Sequence, residues 1–224
     1  MTTHAPTLFL DVNETLLDLS ALDPIFEDAF GDAAARKQWF QMLLQLAMTQ
    51  TITGDYHDFT ALGEVALKSL GQVRGQKVPA GLASRVQSGM KTLPPHADTL
   101  AALTKMREGG ARLYALTNNK LDVLEAQLEN AGLSEVMHRA LSVDPSRTLK
   151  PGAAAYAYGL RQTGAEAGNS WLIAAHGWDI AGAKAAGLRT AFIERPGQAQ
   201  NPLALADVSG SLDKVAKAIL AASA

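Results

Sequence analysis

The stretch LFLDVNETLLD, residues 8–18, joins the pattern of a buried strand to polar residues that a buried strand does not need. Its first three residues form a continuous apolar run, which is typical of a strand covered on both faces in a parallel sheet. Asp11 follows where this strand should end, and Asn13 stands two residues later. Ligands of open α/β folds bind at the carboxyl ends of the strands, so a lone carboxylate at this position indicates a functional group.

Short apolar runs elsewhere in the chain, most of them followed by helical patterns, predict further strands. The predicted strands are Thr7–Val12, Arg112–Thr117, Ala140–Val143, Trp171–Ala175 and Thr190–Ile193. The predicted helices of this part of the chain are Leu121–Ala131, Pro151–Gln162, Ile180–Ala186 and Leu212–Ala222. Alternating strands and helices predict an α/β fold with a parallel sheet and right-handed crossovers.

Residues 19–92 interrupt this alternation, because they contain only helical patterns. The predicted helices are Ala21–Phe30, Ala33–Met48, Tyr56–Leu70 and Ala80–Met90. Pro94 and Pro95 mark the return to a strand–helix pattern, since a proline holds the preceding residue extended. We therefore expect a core of residues 1–18 and 93–224, with a helical cap of residues 19–92 inserted after the first strand.

The composition is that of an ordinary globular protein of 224 residues, with 47% hydrophobic residues and a formal net charge of −2. A pI near 6.2, without a run of Lys or Arg, gives no reason to expect a nucleic-acid partner or an anionic membrane surface. The chain has no cysteine, which excludes disulfides and catalytic thiols. Apolar runs stay short of the roughly 18 residues of a membrane span. We expect a cytoplasmic protein.

Polar residues at the predicted strand ends should meet in one crevice. Asp11 ends the first strand, Thr117 and Asn118 end the second, Lys150 precedes a helix, and Asp179 follows the fourth strand. The carboxyl ends of parallel strands lie at the same edge of the sheet. The crevice would then hold two carboxylates, a hydroxyl, an amide and an ammonium group.

This order of motifs resembles the haloacid dehalogenase superfamily over essentially the whole chain. The motifs are D-x-x-x-T from Asp11, [ST]-N at Thr117, K-P at Lys150, and Asp179 in a W-D-x-x-G-A context. Features similar to the L-2-haloacid dehalogenases are Leu141-Ser-Val-Asp144, Lys150-Pro151, Tyr156 and Trp178-Asp179. The resemblance implies a Rossmann-like core with a helical cap, an aspartate nucleophile, and neither a metal ion nor another cofactor.

Two positions separate this chain from the Mg²⁺-dependent phosphatases that the superfamily mostly contains. Those enzymes carry an acid two residues after the nucleophile and another at the end of the fourth strand, where this chain has Asn13 and Ala174. Mg²⁺ requires oxygen ligands in near-octahedral geometry, and phosphoryl transfer depends on that cation. A halide leaving group needs no proton, so the pattern favours a metal-independent dehalogenase of 2-haloacids. The alternatives are a Mg²⁺-dependent phosphatase of small phosphate esters and a catalytically weak protein that binds small acids.

The resemblance also implies a role for each catalytic candidate. Asp11 attacks the halogen-bearing carbon, and Asp179 activates the water that hydrolyses the resulting ester. Lys150 keeps Asp11 ionised by its nearby positive charge. Thr15 orients Asp11, and His176 positions the water or tunes Asp179.

The substrate, a small halogenated carboxylic acid, is expected to meet a second group of side chains. The expected substrate-binding residues are Asn13, Arg36, Thr117, Asn118 and Tyr156. Among them, Arg36 is the predicted halide-binding arginine. Asn13-Glu14 stands where these dehalogenases usually carry a tyrosine and a glycine, which predicts a pocket of different shape. Relatives of this type are often dimers, so a homodimer is expected.

Overall fold

A six-stranded parallel sheet forms the centre of the computed structural model, which describes residues 5–222. The strands are β1 (Thr7–Leu10), β2 (Arg112–Thr117), β3 (Arg139–Ser142), β4 (Ser170–Ala174), β5 (Arg189–Ile193) and β6 (Val208–Gly210). Their order in the sheet is β3-β2-β1-β4-β5-β6, and every pairing is parallel. β1 and β4 are buried along their whole lengths, in keeping with their apolar sequences. The predicted α/β class is confirmed.

The helices fall into two groups along the chain. The first four follow one another after β1 without an intervening strand: α1 (Asp23–Phe30), α2 (Ala35–Thr53), α3 (Phe59–Arg74) and α4 (Leu82–Lys91). The others alternate with strands: α5 (Thr99–Glu108), α6 (Leu121–Asn130), α7 (Ala153–Thr163), α8 (Gly177–Ala185) and α9 (Leu212–Ala221). None of the helices in residues 5–222 combines the length and apolar character of a membrane span.

The strand order places a topological switch point between β1 and β4. The chain moves from β1 outward to β2 and β3, and then returns to β4 and continues in the opposite direction to β5 and β6. With right-handed crossovers, α5 and α6 therefore cover one face of the sheet, and α7 and α8 cover the other. A crevice forms where the order reverses, outside the carboxyl ends of the strands. The residues that follow β1 and β4 are thus the ones that fold topology brings to a ligand site.

Helices α1 to α4 pack on one another and contact the strand-bearing part of the chain near this crevice. Trp39 of α2 is buried, and its indole N–H donates to the Gly63 carbonyl of α3 at 3.0 Å. Thr51, near the end of α2, donates its hydroxyl to the Leu149 carbonyl at 3.1 Å. Tyr56, in the loop before α3, donates to the Asp144 carboxylate.

Several element boundaries differ from the sequence-based expectation. β1 ends at Leu10 instead of Val12, because the Val12 carbonyl accepts the N–H groups of Leu16 and Leu17 and the chain turns there. α2 continues five residues beyond its predicted end, until Gly54 stops it with a left-handed φ of 77°. α7 begins two residues later than predicted, after Gly152. The short strand β6 and helix α5 were not predicted.

Candidate active site

Asp11 is the first residue after β1 and lies at the switch point. Its backbone N–H still donates to the Ile173 carbonyl of β4 at 3.0 Å, so the main chain fixes its position. The Thr15 hydroxyl donates to Asp11 Oδ2 at 2.7 Å and accepts the Ala175 N–H at 2.9 Å. Thr15 therefore ties the carboxylate of Asp11 to the end of β4, in the orienting position expected for it.

Lys150 places its ammonium group between two carboxylates. Nζ donates to Asp11 Oδ1 at 2.9 Å and to Asp179 Oδ2 at 2.6 Å, and the three side chains are 1%, 8% and 0% exposed. Burial alone would raise the pKa of Asp11, but the charge of Lys150 and the hydrogen bond from His176 outweigh it and hold the pKa below its usual range. The pKa of Lys150 is raised, since the two carboxylates outweigh the effect of its own burial.

The pKa of Asp179 is shifted upward, in the opposite direction from that of Asp11. It is in the first turn of α8, and burial raises its pKa, assisted by the negative charge of Asp11 against the opposing charge of Lys150. Tyr156 donates its hydroxyl to Asp179 Oδ1 at 2.6 Å. Two neighbouring carboxylates with diverging pKa values suit two different chemical roles, one as a permanently ionised nucleophile and the other as a base.

Tyr156 lies against Asp179 in the buried part of the site. Its side chain is completely buried, and its hydroxyl lies against Asp179 instead of an open pocket. Burial and the charge of Asp179 raise the pKa of Tyr156 well above its ordinary value, so the hydroxyl remains a donor. The Tyr156 hydroxyl therefore orients Asp179, and its contact with a substrate stays a prediction.

His176 links the nucleophile candidate to a second carboxylate. Its Nδ1 lies 3.0 Å from Asp11 Oδ2, and its Nε2 lies 3.0 Å from Glu14 Oε2. Burial would lower the pKa of His176, but the hydrogen bonds to Asp11 and Glu14 raise it to about 9. At neutral pH the ring is thus an imidazolium that donates from both nitrogens. The ring of His176 contacts Asp11, whereas Asp179 is contacted by the His176 main-chain carbonyl, which accepts the Asp179 N–H at 3.1 Å.

Thr117 and Asn118 lie at the end of β2 and face the loop of Lys150. The Asn118 amide makes two bonds to the Lys150 main chain: Nδ2 donates to its carbonyl at 3.2 Å, and Oδ1 accepts its N–H at 2.8 Å. Thr117 Oγ1 accepts the Asn119 N–H at 3.2 Å. The Asn118 side chain therefore holds the lysine in place, which differs from the substrate and halide contact predicted for it.

Asn13 also turns away from the carboxylates. Its Oδ1 accepts from Gln127 Nε2 at 3.1 Å and from Asn119 Nδ2 at 3.4 Å. Gln127 donates further to the Met90 carbonyl at 2.8 Å, at the end of α4. The Asn13 oxygen thus belongs to a buried amide network that joins the β1 loop to α4 and α6, in contrast to the substrate contact expected.

Arg36 lies at the start of α2 and is 3% exposed, although a helical arginine is usually solvated. Its Nε donates to Asp23 Oδ1 at 2.6 Å, and its Nη1 donates to Glu14 Oε1 at 3.2 Å. The guanidinium therefore reaches the neighbourhood of the crevice from α2 but contacts Glu14 and not Asp11.

Glu14 is the residue of this site whose importance the sequence did not reveal. Besides Arg36 and His176, it binds Gln198, whose Nε2 donates to Glu14 Oε2 at 2.8 Å. Its backbone φ is +58°, a left-handed conformation that costs a non-glycine residue roughly 1–2 kcal/mol. The departure from glycine at this position was visible in the sequence, but the turn of the β1 loop and the distant loop that carries Gln198 were not.

A cavity of about 640 Å³ opens on the outer side of this cluster. Glu14, Arg36 and His176 form part of its wall, together with Phe40 of α2 and Gln198. Among the residues described, Asp11 is not in that wall. A molecule in the cavity would therefore meet the Glu14–Arg36–His176 group before it met the nucleophile candidate.

The donor set does not suit a magnesium ion. The Lys150 ammonium lies within 3 Å of one oxygen of Asp11 and one of Asp179, where a cation shared by the two carboxylates would need to lie. Mg²⁺ requires several oxygen ligands in near-octahedral geometry. Within residues 5–222, no group of three or more acidic, histidine or cysteine side chains is arranged to hold a metal ion.

The buried Asp11–Lys150–Asp179 group at the switch point of a parallel sheet is an arrangement suited to covalent catalysis in an α/β enzyme. The model of the haloacid dehalogenase-like hydrolases matches residues 6–187. The chain therefore belongs to the haloacid dehalogenase-like hydrolase family, as its motifs predict.

Curated relatives carry dehalogenase names. The chain is 28% identical over 189 residues to "(S)-2-haloacid dehalogenase 4A" of Burkholderia cepacia, which covers 84% of this chain and 82% of that protein. It is also 28% identical over 165 residues to "Haloacetate dehalogenase H-2" of Moraxella sp. (strain B), with 74% of each chain covered.

Solved structures share the fold. The L-2-haloacid dehalogenase of Xanthobacter autotrophicus superimposes with a TM-score of 0.89 at 20% identity, over 96% of this chain and 98% of that one. The same enzyme has been solved with chloropropionic acid covalently bound. A HAD-hydrolase of Bacillus subtilis bound to magnesium superimposes less closely, with a TM-score of 0.75 at 17% identity.

Proposed function

We propose that this protein is a metal-independent hydrolytic dehalogenase that converts short 2-haloacids to 2-hydroxy acids. The observation that carries the proposal is the Asp11–Lys150–Asp179 ion group, to which the described residues add no further acidic, histidine or cysteine side chains arranged to hold a metal ion. The dehalogenase names of the curated relatives support the same activity. The alternative of a magnesium-dependent phosphatase is disfavoured because Asn13 and Ala174 stand where those enzymes carry acids.

In the first half-reaction, an oxygen of Asp11 attacks the halogen-bearing carbon of the substrate. A C–O bond forms, the carbon–halogen bond breaks, and the halide leaves with the bonding electron pair. The low pKa of Asp11, which Lys150 and His176 maintain, keeps the nucleophile ionised. Thr15 restrains the carboxylate, and such restraint favours an in-line approach.

In the second half-reaction, water attacks the carbonyl carbon of the Asp11 ester. Asp179 accepts a proton from this water, for which its raised pKa suits it better than an ordinary aspartate. Lys150 remains beside the ester and favours the negative charge that develops on it. The bond between the Asp11 carbonyl carbon and the ester oxygen then breaks, and that oxygen stays on the substrate carbon and takes up the proton held by Asp179. The product leaves as the 2-hydroxy acid, while Asp11 keeps the oxygen of the water, releases the second proton and regains its carboxylate.

We extend the proposal to the role of the helical segment and to the quaternary structure of the protein. We assign residues 19–92 to a cap that covers the crevice, since Arg36 of α2 reaches the Glu14 carboxylate from it. Backbone N–H groups near Thr117 and Asn118 remain the proposed partners of the substrate carboxylate. The homodimer and the cytoplasmic location stay predictions.

The first test is halide release from chloroacetate in the presence of excess chelator. We expect turnover under these conditions, and Asp11→Asn should abolish it while the fold, measured by circular dichroism, is unchanged. Asp18→Asn is a matched control, because Asp18 lies in the same loop, caps a short helix that asparagine also caps, and lies outside the proposed machinery. Phosphate release that requires added Mg²⁺, without halide release, would contradict the proposal.

The second test separates the two half-reactions. Asp179→Asn should leave the Asp11 ester intact, because the amide cannot accept the proton of the attacking water. Mass spectrometry of the variant after incubation with chloroacetate should show one added carboxymethyl group on the peptide that contains Asp11. A variant that turns over normally, or that carries no adduct, would remove Asp179 from the hydrolytic step.

A further inference from the structure

Three donors from separate parts of the chain converge on the Glu14 carboxylate. Arg36 Nη1 lies 3.2 Å from Oε1, while His176 Nε2 and Gln198 Nε2 lie 3.0 and 2.8 Å from Oε2. Arg36 and His176 are almost fully buried, whereas the Glu14 side chain keeps 18% of its surface exposed, toward the cavity. A guanidinium, an imidazole and an amide together form a binding position for an anion.

The His176 ring separates this anion position from the nucleophile candidate, Asp11. The His176 ring contacts Asp11 Oδ2 through Nδ1 and Glu14 Oε2 through Nε2. A short haloacid whose reacting carbon meets Asp11 therefore carries its carboxylate or its halide into the space that these donors serve. That space already holds the Glu14 carboxylate.

We propose that Glu14 is a specificity-determining residue whose carboxylate occupies this anion position, and that an anionic group of the substrate must displace it. The proposal rests on the proposed function, and it names small anionic substrates as the class that can enter.

The surroundings of Glu14 allow such a displacement. Arg36 does not depend on Glu14 for a partner, because its Nε also donates to Asp23 at 2.6 Å. The side chain of Glu14 borders the cavity, into which it can rotate, and the exposed Lys37 lies in the same wall. Its left-handed backbone holds the carboxylate over the donors, although glycine would suit that conformation better.

An internal occupant lowers the apparent affinity for any external anion by the fraction of molecules in which the position is free. Removing its charge should therefore strengthen anion binding, whereas loss of an ordinary structural ion pair would weaken or disorder the site. The two interpretations therefore predict opposite changes in anion affinity when the charge of Glu14 is removed.

The experiment measures binding of two unreactive probes, acetate and bromide, to the full chain by isothermal titration calorimetry. Glu14→Gln keeps the size of the side chain but makes it a weaker acceptor, and we expect both or one of the probes to bind about tenfold more tightly. Glu14→Gly, which the positive φ accommodates, should show at least the same gain. Asp18→Asn removes a charge from the same cavity wall without touching the donors, and should change affinity by less than about twofold.

Acetate and bromide distinguish the two sources of the anion. If the Glu14 variants bind only acetate more tightly, the position is that of the substrate carboxylate. If they bind only bromide more tightly, it is that of the halide. Unchanged or weaker binding of both probes by the Glu14 variants would overturn the proposal. If neither variant folds, crystals of the unaltered protein soaked in bromide provide the test. A bromide ion among Arg36, His176 and Gln198, with Glu14 rotated away, would support the proposal. A Glu14 side chain that has not moved would overturn the proposal.

This test is independent of turnover. A protein that releases no halide from any haloacid would refute the proposed function, yet the binding comparison would still be decided. Conversely, a protein that dehalogenates chloroacetate but shows no gain in the Glu14 variants would retain its function and lose the inference about Glu14.

Discussion

Replacing Lys150 by methionine should destabilise the protein far more than the loss of an ordinary lysine. The substitution keeps most of the apolar length of the side chain but removes the ammonium that lies 2.9 Å from Asp11 and 2.6 Å from Asp179. Two buried carboxylates would then face each other without the cation between them. His176 would still bind Asp11, whereas Asp179 would keep only the Tyr156 hydroxyl as a side-chain donor.

The size of the effect follows from these distances. At an effective dielectric constant of about 20, two unit charges 3 Å apart attract each other by roughly 5 kcal/mol. Lys150 makes two such contacts, but burying its ammonium offsets a large part of the attraction. Removing one partner of a buried ionic group typically costs about 3–5 kcal/mol, because the remaining charge is uncompensated. We expect the free energy of unfolding to fall by that amount at neutral pH.

The loss should also depend on pH in a defined direction. Burial and the charge of Asp11 already raise the pKa of Asp179, and removal of Lys150 raises it further. The folded variant then binds a proton that the unfolded chain has already released, so its stability increases as the pH falls toward the ordinary value of 3.8. The difference between the two proteins should be smaller at about pH 5 than at pH 7.

Urea denaturation at both pH values measures this difference. Lys91→Met is the matched control, since Lys91 makes an exposed pair with Asp122 at 3.1 Å. It should change stability by less than about 1 kcal/mol. A Lys150→Met loss no larger than that of the control, or one that grows as the pH falls, would refute the reasoning about an uncompensated buried charge.

Three further substitutions test the neighbours of this charge group. His176 has a pKa raised from 6.5 to about 9, so its contribution is present below pH 6.5 and is lost as the pH rises through 9; urea titrations should show a decrease on the order of 3 kcal/mol that His176→Asn lacks. Tyr156→Phe removes the donor to Asp179 and should lower kcat about tenfold, with KM lowered alongside it because the ester accumulates, as rapid-quench experiments can show. Asn118→Ala leaves the buried N–H and carbonyl of Lys150 without their side-chain partner and should cost about 1–3 kcal/mol in thermal or urea unfolding.

The refuting results are equally specific. An unfolding free energy of the His176→Asn variant that falls with pH as steeply as that of the unaltered protein would show that another group titrates. A raised KM in Tyr156→Phe at constant kcat would return Tyr156 to substrate binding. An Asn118→Ala variant as stable as the unaltered protein would show that water replaces its two hydrogen bonds.

The fold was predictable because continuous apolar runs mark the central strands. β1 and β4 are buried on both faces, and their sequences carry no competing helical period. Helix ends were predicted less well, since α2 continues past its predicted end at Met48 until Gly54 stops it. β6, by contrast, has three residues, one of them glycine, and lies at the edge of the sheet, so its sequence contains too few positions for a period to emerge.

The sequence predicted which residues meet at the strand ends, but it did not predict which partners their side chains contact. The convergence of Asp11, Lys150 and Asp179 follows from parallel topology, and their distances agree with it. Asn118 sits where the motif indicates, but whether its amide meets a ligand or the Lys150 main chain depends on the path of a distant loop. The role of Glu14 depends on three contacts that span most of the chain and leave no local pattern.

The double hydrogen bond of Asn118 has a consequence for how the molecule can open. It fastens the Lys150 loop to the tip of β2, and Asp11, Lys150 and Asp179 all belong to residues outside the α1–α4 segment. Among the described side chains that donate to the Glu14 carboxylate, Arg36 is the one that belongs to that segment. An outward swing of the four helices would therefore part Arg36 from its acceptor while the nucleophile, base and ammonium stay assembled, so that product departure need not dismantle the attacking group.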